Sequence, residues 1–491
     1  MKYNHALFMN PYIERSATSA MMLFPPTGLE YVATNAQDYV DKITLLDLRY
    51  EKDLSDVDKL LDFIRKEIDI ICVSIGWNRQ IKEICDLLNR MPKDIPLVVG
   101  GYTATEKVEE FFEHCPKIDI IVRGEGEETI KEILSGKPLE DILGISYRNN
   151  GKIVHNGHRP LPDIDNIASP NRALRRNEYR LTLNNVNVAN LAFDTVLSTR
   201  GCPYNCKFCT FKLNPLGQKR NYSARSVGSV VNELEGITAN IILFSDENFS
   251  FDAKRAEKIC DLIIARKIKK RFIAQTRIEI AKHPQLLEKM VKAGFKTLLI
   301  GIESPHDRIL AQLNKGFDSA TVRKYFAVLR KFPIYYHGYF IYGNITETEE
   351  EMLYIAQFAK EIGVDSITFL KLRIEKFSPL KEIVDKTPGY YIGNNGVLYS
   401  EAYSYGDLKK IGRKIKFAFY RPSRFLHMFK KCFIDVKFFT FSEAMSFLAA
   451  MPRVLKSIIA REIQKGRLTD SLKRTFIGSK KQKQPVSSNL A

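Results

Sequence analysis

Cys202, Cys206 and Cys209 stand in the run Cys202-Pro203-Tyr204-Asn205-Cys206-Lys207-Phe208-Cys209, directly after the apolar stretch from Thr195 to Gly201. Three thiolates at C-x3-C-x2-C spacing can turn onto one small volume, and soft sulfur ligands select iron–sulfur or zinc. A closed structural zinc site or an electron-transfer cluster normally takes a fourth protein ligand. Three ligands leave one metal atom open to a small molecule, and an open coordination position implies chemistry. A zinc knuckle is the competing reading of the same residues.

The motif, with the aromatic Phe208 before its last cysteine, resembles the cluster motif of the radical S-adenosylmethionine (SAM) superfamily. That resemblance implies a [4Fe–4S] cluster on the three cysteines, its open iron taking the amino and carboxylate groups of SAM. An electron from the reduced cluster would then split SAM into methionine and a 5′-deoxyadenosyl radical. The strand and helix alternation from Val196 to about Phe369 fits a (β/α) barrel or partial barrel, whose site lies at the carboxyl ends of its strands. Each such end carries something polar. The stretch Ile241 to Ser245 leads into Asp246-Glu247-Asn248, matching the family segment that meets the SAM amino group. The stretch from Arg271 ends in Arg277, a cation suited to a carboxylate. Thr297 to Ile302 leads into Glu303-Ser304, where the family takes the ribose or methionine end. Tyr336 to Gly343 leads into Asn344 through Thr348, resembling the strand end near adenine, although Asn344 stands where relatives often carry proline. Taken singly, Glu303 reads as a surface carboxylate and Asp246 as a helix N-cap. Their order at one β/α unit apiece carries the resemblance, which makes Phe208, Asp246, Glu247, Arg277 and Glu303 the expected SAM contacts.

The elements ahead of the cluster alternate short β-branched runs with amphipathic segments, the pattern of a parallel sheet covered on both faces. Ligands of such a sheet bind beyond the carboxyl ends of its strands. The loops there carry Asn10-Pro11, Pro25-Pro26-Thr27-Gly28, Gly100-Gly101-Tyr102-Thr103 and Gly124-Glu125-Gly126. As an ordered set they look like the cobalamin-binding domain found in front of many radical SAM enzymes, which makes Asn10, Gly100, Gly101, Thr103, Gly124 and Glu125 the expected cobalamin contacts. The D-x-H-x-x-G signature that supplies a histidine to cobalt is absent, and Asp47-Leu48-Arg49 stands where it would start. Cobalamin is therefore expected without a protein histidine on the metal, the alternative being a retained fold that walls the substrate.

The fold class expected is α/β: a doubly wound, Rossmann-like parallel-sheet domain, then a TIM-type partial barrel, then a helical C-terminal extension. The boundaries fall at 1–143 for the first domain, 144–194 for a hairpin and linker, 195–380 for the barrel, 381–436 for the extension and 437–491 for a basic amphipathic helix and tail. At 491 residues, about two to three domains are expected. A hydrophobic share of 45% with 27% charged residues is that of a soluble globular chain, without a secretory start or a spanning stretch. The cytosol is the expected compartment, and its reducing conditions suit both the cluster and the scattered Cys72, Cys85, Cys115, Cys260 and Cys432. A net charge of +18 calls for an acidic partner. Much of it gathers at the C-terminus, where Phe447, Leu448, Met451, Val454, Leu455, Ile458, Ile459 and Ile463 share one helical face and Arg453, Lys456, Arg461, Lys465 and Arg467 take the others. Arg474, Lys480, Lys481 and Lys483 extend that run into a tail. Such a helix reads either as a peripheral membrane element or as one packed on the barrel.

The resemblance implies hydrogen abstraction from an unactivated carbon of a small-molecule or lipid-like substrate, then methylation from methylcobalamin. A flavodoxin or ferredoxin-type electron donor is implied, and no nucleic acid. A cyclase or carbon–carbon bond-forming enzyme is the second reading. A transfer-RNA methylthiotransferase is the third, motivated by the charge and by Cys72, Cys85 and Cys115, although no small all-β RNA-binding domain follows the barrel.

Overall fold

The computed structural model describes residues 3–12, 24–51, 53–183, 186–209, 213–393 and 395–464. The basic tail expected beyond residue 464 lies outside them.

Seven strands, β1 (His5–Asn10), β2 (Lys42–Asp47), β3 (Ile70–Ser74), β4 (Leu97–Gly100), β5 (Ile120–Val122), β6 (Ile145–Asn149) and β7 (Lys152–His155), form the first sheet in the order β2-β1-β3-β4-β5-β6-β7. The first five run parallel, and β6 and β7 add an antiparallel edge. Every residue of β1 is buried, as a strand covered on both faces requires. Its pleat sends Leu7 and Met9 against the helices Val57–Glu67 and Ile81–Asn89, and Ala6 and Phe8 against Thr27–Asn35 and Glu127–Leu134. The hairpin expected as the start of a linker is thus the rim of the first sheet, because Ile145 and Tyr147 still have an apolar layer to enter.

The second sheet is a curled half-barrel of seven strands. It begins earlier than the sequence pattern places it. β8 (Arg180–Leu183) pairs antiparallel with β9 (Val186–Val196), where Val188, Leu191 and Phe193 provide an inward face upstream of Thr195. A short ladder of β10 (Thr199–Arg200) with β11 (Ser223–Ala224) brackets the cysteine loop. Then β12 (Ile241–Phe244), β13 (Arg271–Thr276), β14 (Phe295–Glu303), β15 (Tyr335–Tyr342) and β16 (Ser366–Lys371) continue the sheet parallel to β9. Helices cover its convex face, and the helix Glu349–Ile362 starts from a capping box between Thr348 and Glu351. The turn-rich segment after residue 389 contributes to a hairpin of Tyr390–Ile392 with Leu398–Ser400.

The C-terminal helix Phe441–Gln464 combines both readings of its pattern. Ala450 and Val454 are buried, with Phe447 and Met451 beside them, on the inward residues Leu243, Ile273 and Tyr335. Leu448, Leu455 and Ile458, expected on that same face, are exposed. Arg271 at the start of β13 fixes the helix through two bonds to Glu443, at 2.6 and 2.9 Å. No helix among the described residues is long and apolar enough to cross a membrane.

Ion pairs lock the two sheets together. Arg175 makes bidentate bonds to Glu30 of the first domain, both at 2.7 Å, and to Asp194 of β9 at 2.8 and 2.9 Å. Arg172 adds bonds to Asp194 and Glu233, each at 2.8 Å.

Candidate active site

The cysteine loop departs from a conformation only glycine holds without strain. Gly201 has φ +82°, and a Cβ there would collide with the carbonyl oxygen of Asn221. Just upstream, the carboxylate of Asp246 accepts from the Ser198 and Thr199 amides and the Ser198 hydroxyl, each at 2.7 Å. Asp246 is fully buried and both its oxygens hold the exit of β9, so it positions the loop instead of facing it. The open acceptor of this segment is its neighbour, Glu247. Glu247 Oε2 is buried without a partner, and burial pushes its carboxyl up to about 7.

Beyond the turn, the Lys207 amide donates to Leu313 O at 3.0 Å, Asn314 Nδ2 to Asn205 O at 2.8 Å, and Ser378 Oγ to Lys207 O at 2.7 Å. These bonds pin the middle of the cysteine run, at Asn205 and Lys207, to the turn that ends the helix Asp307–Gln312 and to the barrel exit. Arg277, at the end of β13, aims Nη1 at Cys206 Sγ from 3.3 Å, and its guanidinium lies 3.8 Å from the centre of the Tyr204 ring. Burial raises the Cys202 thiol above the usual range, and the charge of Arg277 opposes that rise. Arg277 therefore sits over a cysteine sulfur, where a SAM carboxylate was expected.

Glu303 ends β14 in a left-handed conformation, φ +72°, where the register with β15 shifts. Its Oε1 accepts from Lys315 Nζ at 3.1 Å, and a Cβ on Gly301 would press to 2.5 Å from that same oxygen. Lys315 is buried too, with Nζ 5.8 Å from the centre of the Phe208 ring. Sequence reasoning missed Lys315, because Asn314-Lys315-Gly316 reads as a solvent turn. Its one available signal is the pair of turn formers around it, whose φ values of +54° and +77° bend the lysine back over the barrel mouth.

At the end of β15, the backbone amide and Nδ2 of Asn344 both donate to Glu347 Oε2 at 2.9 Å, leaving Asn344 Oδ1 and Glu347 Oε1 buried without partners. Burial pushes the Glu347 carboxyl up to about 7 from its usual 4.5. Between those values the folded chain keeps a proton that the unfolded chain has lost, so stability should fall as pH rises through this window and level off above it. The expected loss is on the order of 3 kcal/mol. Glu347→Gln should remove that dependence, as checked by thermal unfolding from pH 5 to 8.

A cavity of about 400 Å³ opens at the carboxyl end of the first sheet. Phe8, Cys72, Val98 and Val122 form its apolar floor, and Gly100, Gly101, Gly124 and Glu125 its rim. Gly101 has φ +100°, and a Cβ there would lie 2.8 Å from Ile75 O. An apolar floor under a glycine rim, at this volume, fits a flat heterocycle such as the base of a nucleotide tail. Asn10 and Thr103 are buried elsewhere: Asn10 Nδ2 donates to Asp47 Oδ1 at 2.9 Å, and the Thr103 amide to Ile75 O at 3.0 Å. No histidine lines the cavity. Trp77 packs 4.8 Å from Tyr12 under the Arg79 guanidinium, in the loop after β3.

Residues from the strand ends of the barrel domain close the cavity. Arg200, Leu197 and Ser245 line it. Arg200, two residues before Cys202, donates to Glu125 Oε2 and Glu127 Oε1, each at 2.6 Å. Arg220 pairs with Glu125 Oε1 at 2.5 Å, so the carboxylate on the cavity rim also joins the two domains. The three thiols behind the methylthiotransferase reading do not form one set: Cys85 and Cys115 are hydrogen-bonded to each other on one face of the first sheet, and Cys72 lies on the other.

Comparison with known proteins gives this architecture its class. Residues 196–359 match the radical SAM superfamily and residues 17–134 the B12-binding domain. The chain is 30% identical over 356 residues to an uncharacterized methyltransferase of Pyrococcus horikoshii, covering 70% of this chain and 75% of that protein. It is 25% identical over 304 residues to the hopanoid C-3 methylase of Methylococcus capsulatus, covering 58% and 55%. In three dimensions it resembles TsrM, a radical SAM methyltransferase of Kitasatospora setae, with a TM-score of 0.68 at 16% identity over 86% of this chain and 89% of that one. The chain belongs to the radical SAM superfamily and carries a B12-binding domain. It is an enzyme whose cofactors are a [4Fe–4S] cluster, SAM and cobalamin.

Proposed function

We propose that this enzyme methylates an unactivated carbon of a lipid-like small molecule. Bound at their cradles, the cluster and SAM supply a hydrogen-abstracting radical and cobalamin supplies a methyl group. Cys202, Cys206 and Cys209 are the cluster ligands of this reading. Glu247 offers its unpaired oxygen to an ammonium group, and Phe208, Glu303 and Lys315 line the approach. The observation that carries the reading is the shared wall: Arg200, two residues from the first cysteine, also closes the first-sheet cavity and bonds its rim. Two cradles set side by side serve a reaction that needs both cofactors at one substrate. The lipid-like class is supported by the hopanoid methylase among the relatives. A flavodoxin or ferredoxin-type donor, a cytoplasmic setting and peripheral contact with a membrane complete the proposal.

The test uses anaerobically reconstituted chain, reductant, methyl-deuterated SAM and a lipid extract from a strain lacking the gene. A product carrying the deuterated methyl is expected. Loss of hydrogen without label would replace methylation by ring closure or coupling.

A further inference from the structure

The helix Pro422–Lys430 has no buried residue, although Phe425, Leu426 and Phe429 lie along it. A soluble chain seldom leaves such a helix uncovered. Its apolar side continues into the C-terminal helix through a stack of rings, Phe429 on Phe433 at 4.3 Å and Phe433 on Phe439 at 4.9 Å. The next apolar strip, Phe441, Met445, Leu448 and Leu455, follows helical spacing and is exposed along its length, Phe441 to 84%. It lies beside the face that Ala450 and Val454 bury on the barrel, so the helix has two apolar sides and one partner.

Charge says what the second partner is. Between residues 422 and 456 there are six Lys and Arg against two Asp and Glu, a net +4, and one of the acids, Glu443, is held by Arg271. Lys430, Lys437 and Lys456 are exposed next to the apolar positions, where long cationic side chains reach headgroups while the apolar ones enter the acyl boundary.

We propose that this face, from Pro422 through Leu455, docks on an anionic lipid bilayer. It gives the peripheral contact of the proposed function its residues, and rests on that reading only for the class of partner. The face meets the barrel at the strand starts: Glu443 bonds Arg271, the Val436 carbonyl accepts from Lys296, and His427 bonds Asp365. Cys206, Glu247, Arg277 and Glu303 lie at the opposite ends of the strands. Docking therefore leaves the cofactor mouth uncovered.

Flotation of the full-length holoenzyme with phosphatidylcholine vesicles, with and without phosphatidylglycerol, tests this. Binding is expected only with phosphatidylglycerol and should weaken as salt is raised. The double variant Phe441→Asp with Leu448→Asp should lower vesicle affinity at least about tenfold. Lys430→Glu with Lys437→Glu should do the same without touching an apolar position. Both variants should cleave SAM at the parent rate, which shows that they fold and separates this outcome from failure of the methylation reading. Binding to neither vesicle, equal binding to both, or unchanged binding by folded variants overturns the proposal. A dimer of the parent that the first variant dissolves overturns it in favour of a second copy as occupant.

Discussion

Replacing Cys202, Cys206 and Cys209 together by alanine should remove the iron from anaerobically prepared enzyme and reduce methionine formation from SAM to background, while cobalamin content stays at the parent level. The first two outcomes follow from thiolate ligation, because no other side chain substitutes for sulfur on a cluster. The third follows from the architecture. The cavity floor is built from β1, β3, β4 and β5, and it meets the cysteine segment through its rim, where Glu125 pairs with Arg200 and Arg220. Iron and cobalt analysis with methionine quantification checks all three. Residual iron at cluster stoichiometry would place a second cluster elsewhere, which the separation of Cys72 from Cys85 and Cys115 across the first sheet argues against. The single variant Arg277→Ala tests the neighbouring cation. It should leave a cluster that forms and then decays faster, since the variant loses the guanidinium donor that reaches Cys206 Sγ at 3.3 Å.

Gly101→Ala should produce the reverse pattern, with cobalt lost and iron kept. At φ +100° and ψ 173° the residue occupies a region nearly exclusive to glycine, and a methyl group there meets the Ile75 backbone oxygen at 2.8 Å and its carbon at 2.9 Å. The strain, about 1–3 kcal/mol for the conformation alone, is below the stability of an ordinary domain, so the loop should shift without unfolding the sheet. A shifted loop closes the rim of the cavity, and cobalamin affinity should fall about tenfold or more. Equilibrium dialysis against hydroxocobalamin reads the affinity, and the ultraviolet–visible spectrum reads the cluster in the same sample. Gly228→Ala, in the barrel helix Val227–Gly236 and away from the cavity, is the control, because a Cβ there meets nothing within 4 Å and cobalamin should bind as before.

The sequence carried the order of the strands and the identity of the chemistry because both are local. Alternation with period two or near four is written in neighbouring residues, and the cysteine motif is eight residues long. What escaped is what chain spacing does not encode. Glu125 does line the first-sheet cavity, but its bonds to Arg200 and Arg220, 75 and 95 positions away, are not written in its glycine-flanked loop. Asp246 lies in the right segment but faces inward, and only the position of Ser198 and Thr199 reveals that the oxygens are taken. Lys315 looks like a surface lysine until the turn around it is seen. The C-terminal helix shows the limit of periodicity: eight apolar positions suggested one face, whereas four sequence-adjacent side chains divide between the barrel and water.

The bridge made by Arg175 bears on how this enzyme comes apart. Glu30 is buried from one domain and Asp194 from the other, both held by a single guanidinium. A barrel produced without the first 143 residues would strand that guanidinium beside one carboxylate and expose the floor of β9, at a cost on the order of 3–5 kcal/mol. Heating should accordingly melt both sheets in one cooperative transition, and neither half should survive as a separate soluble fragment.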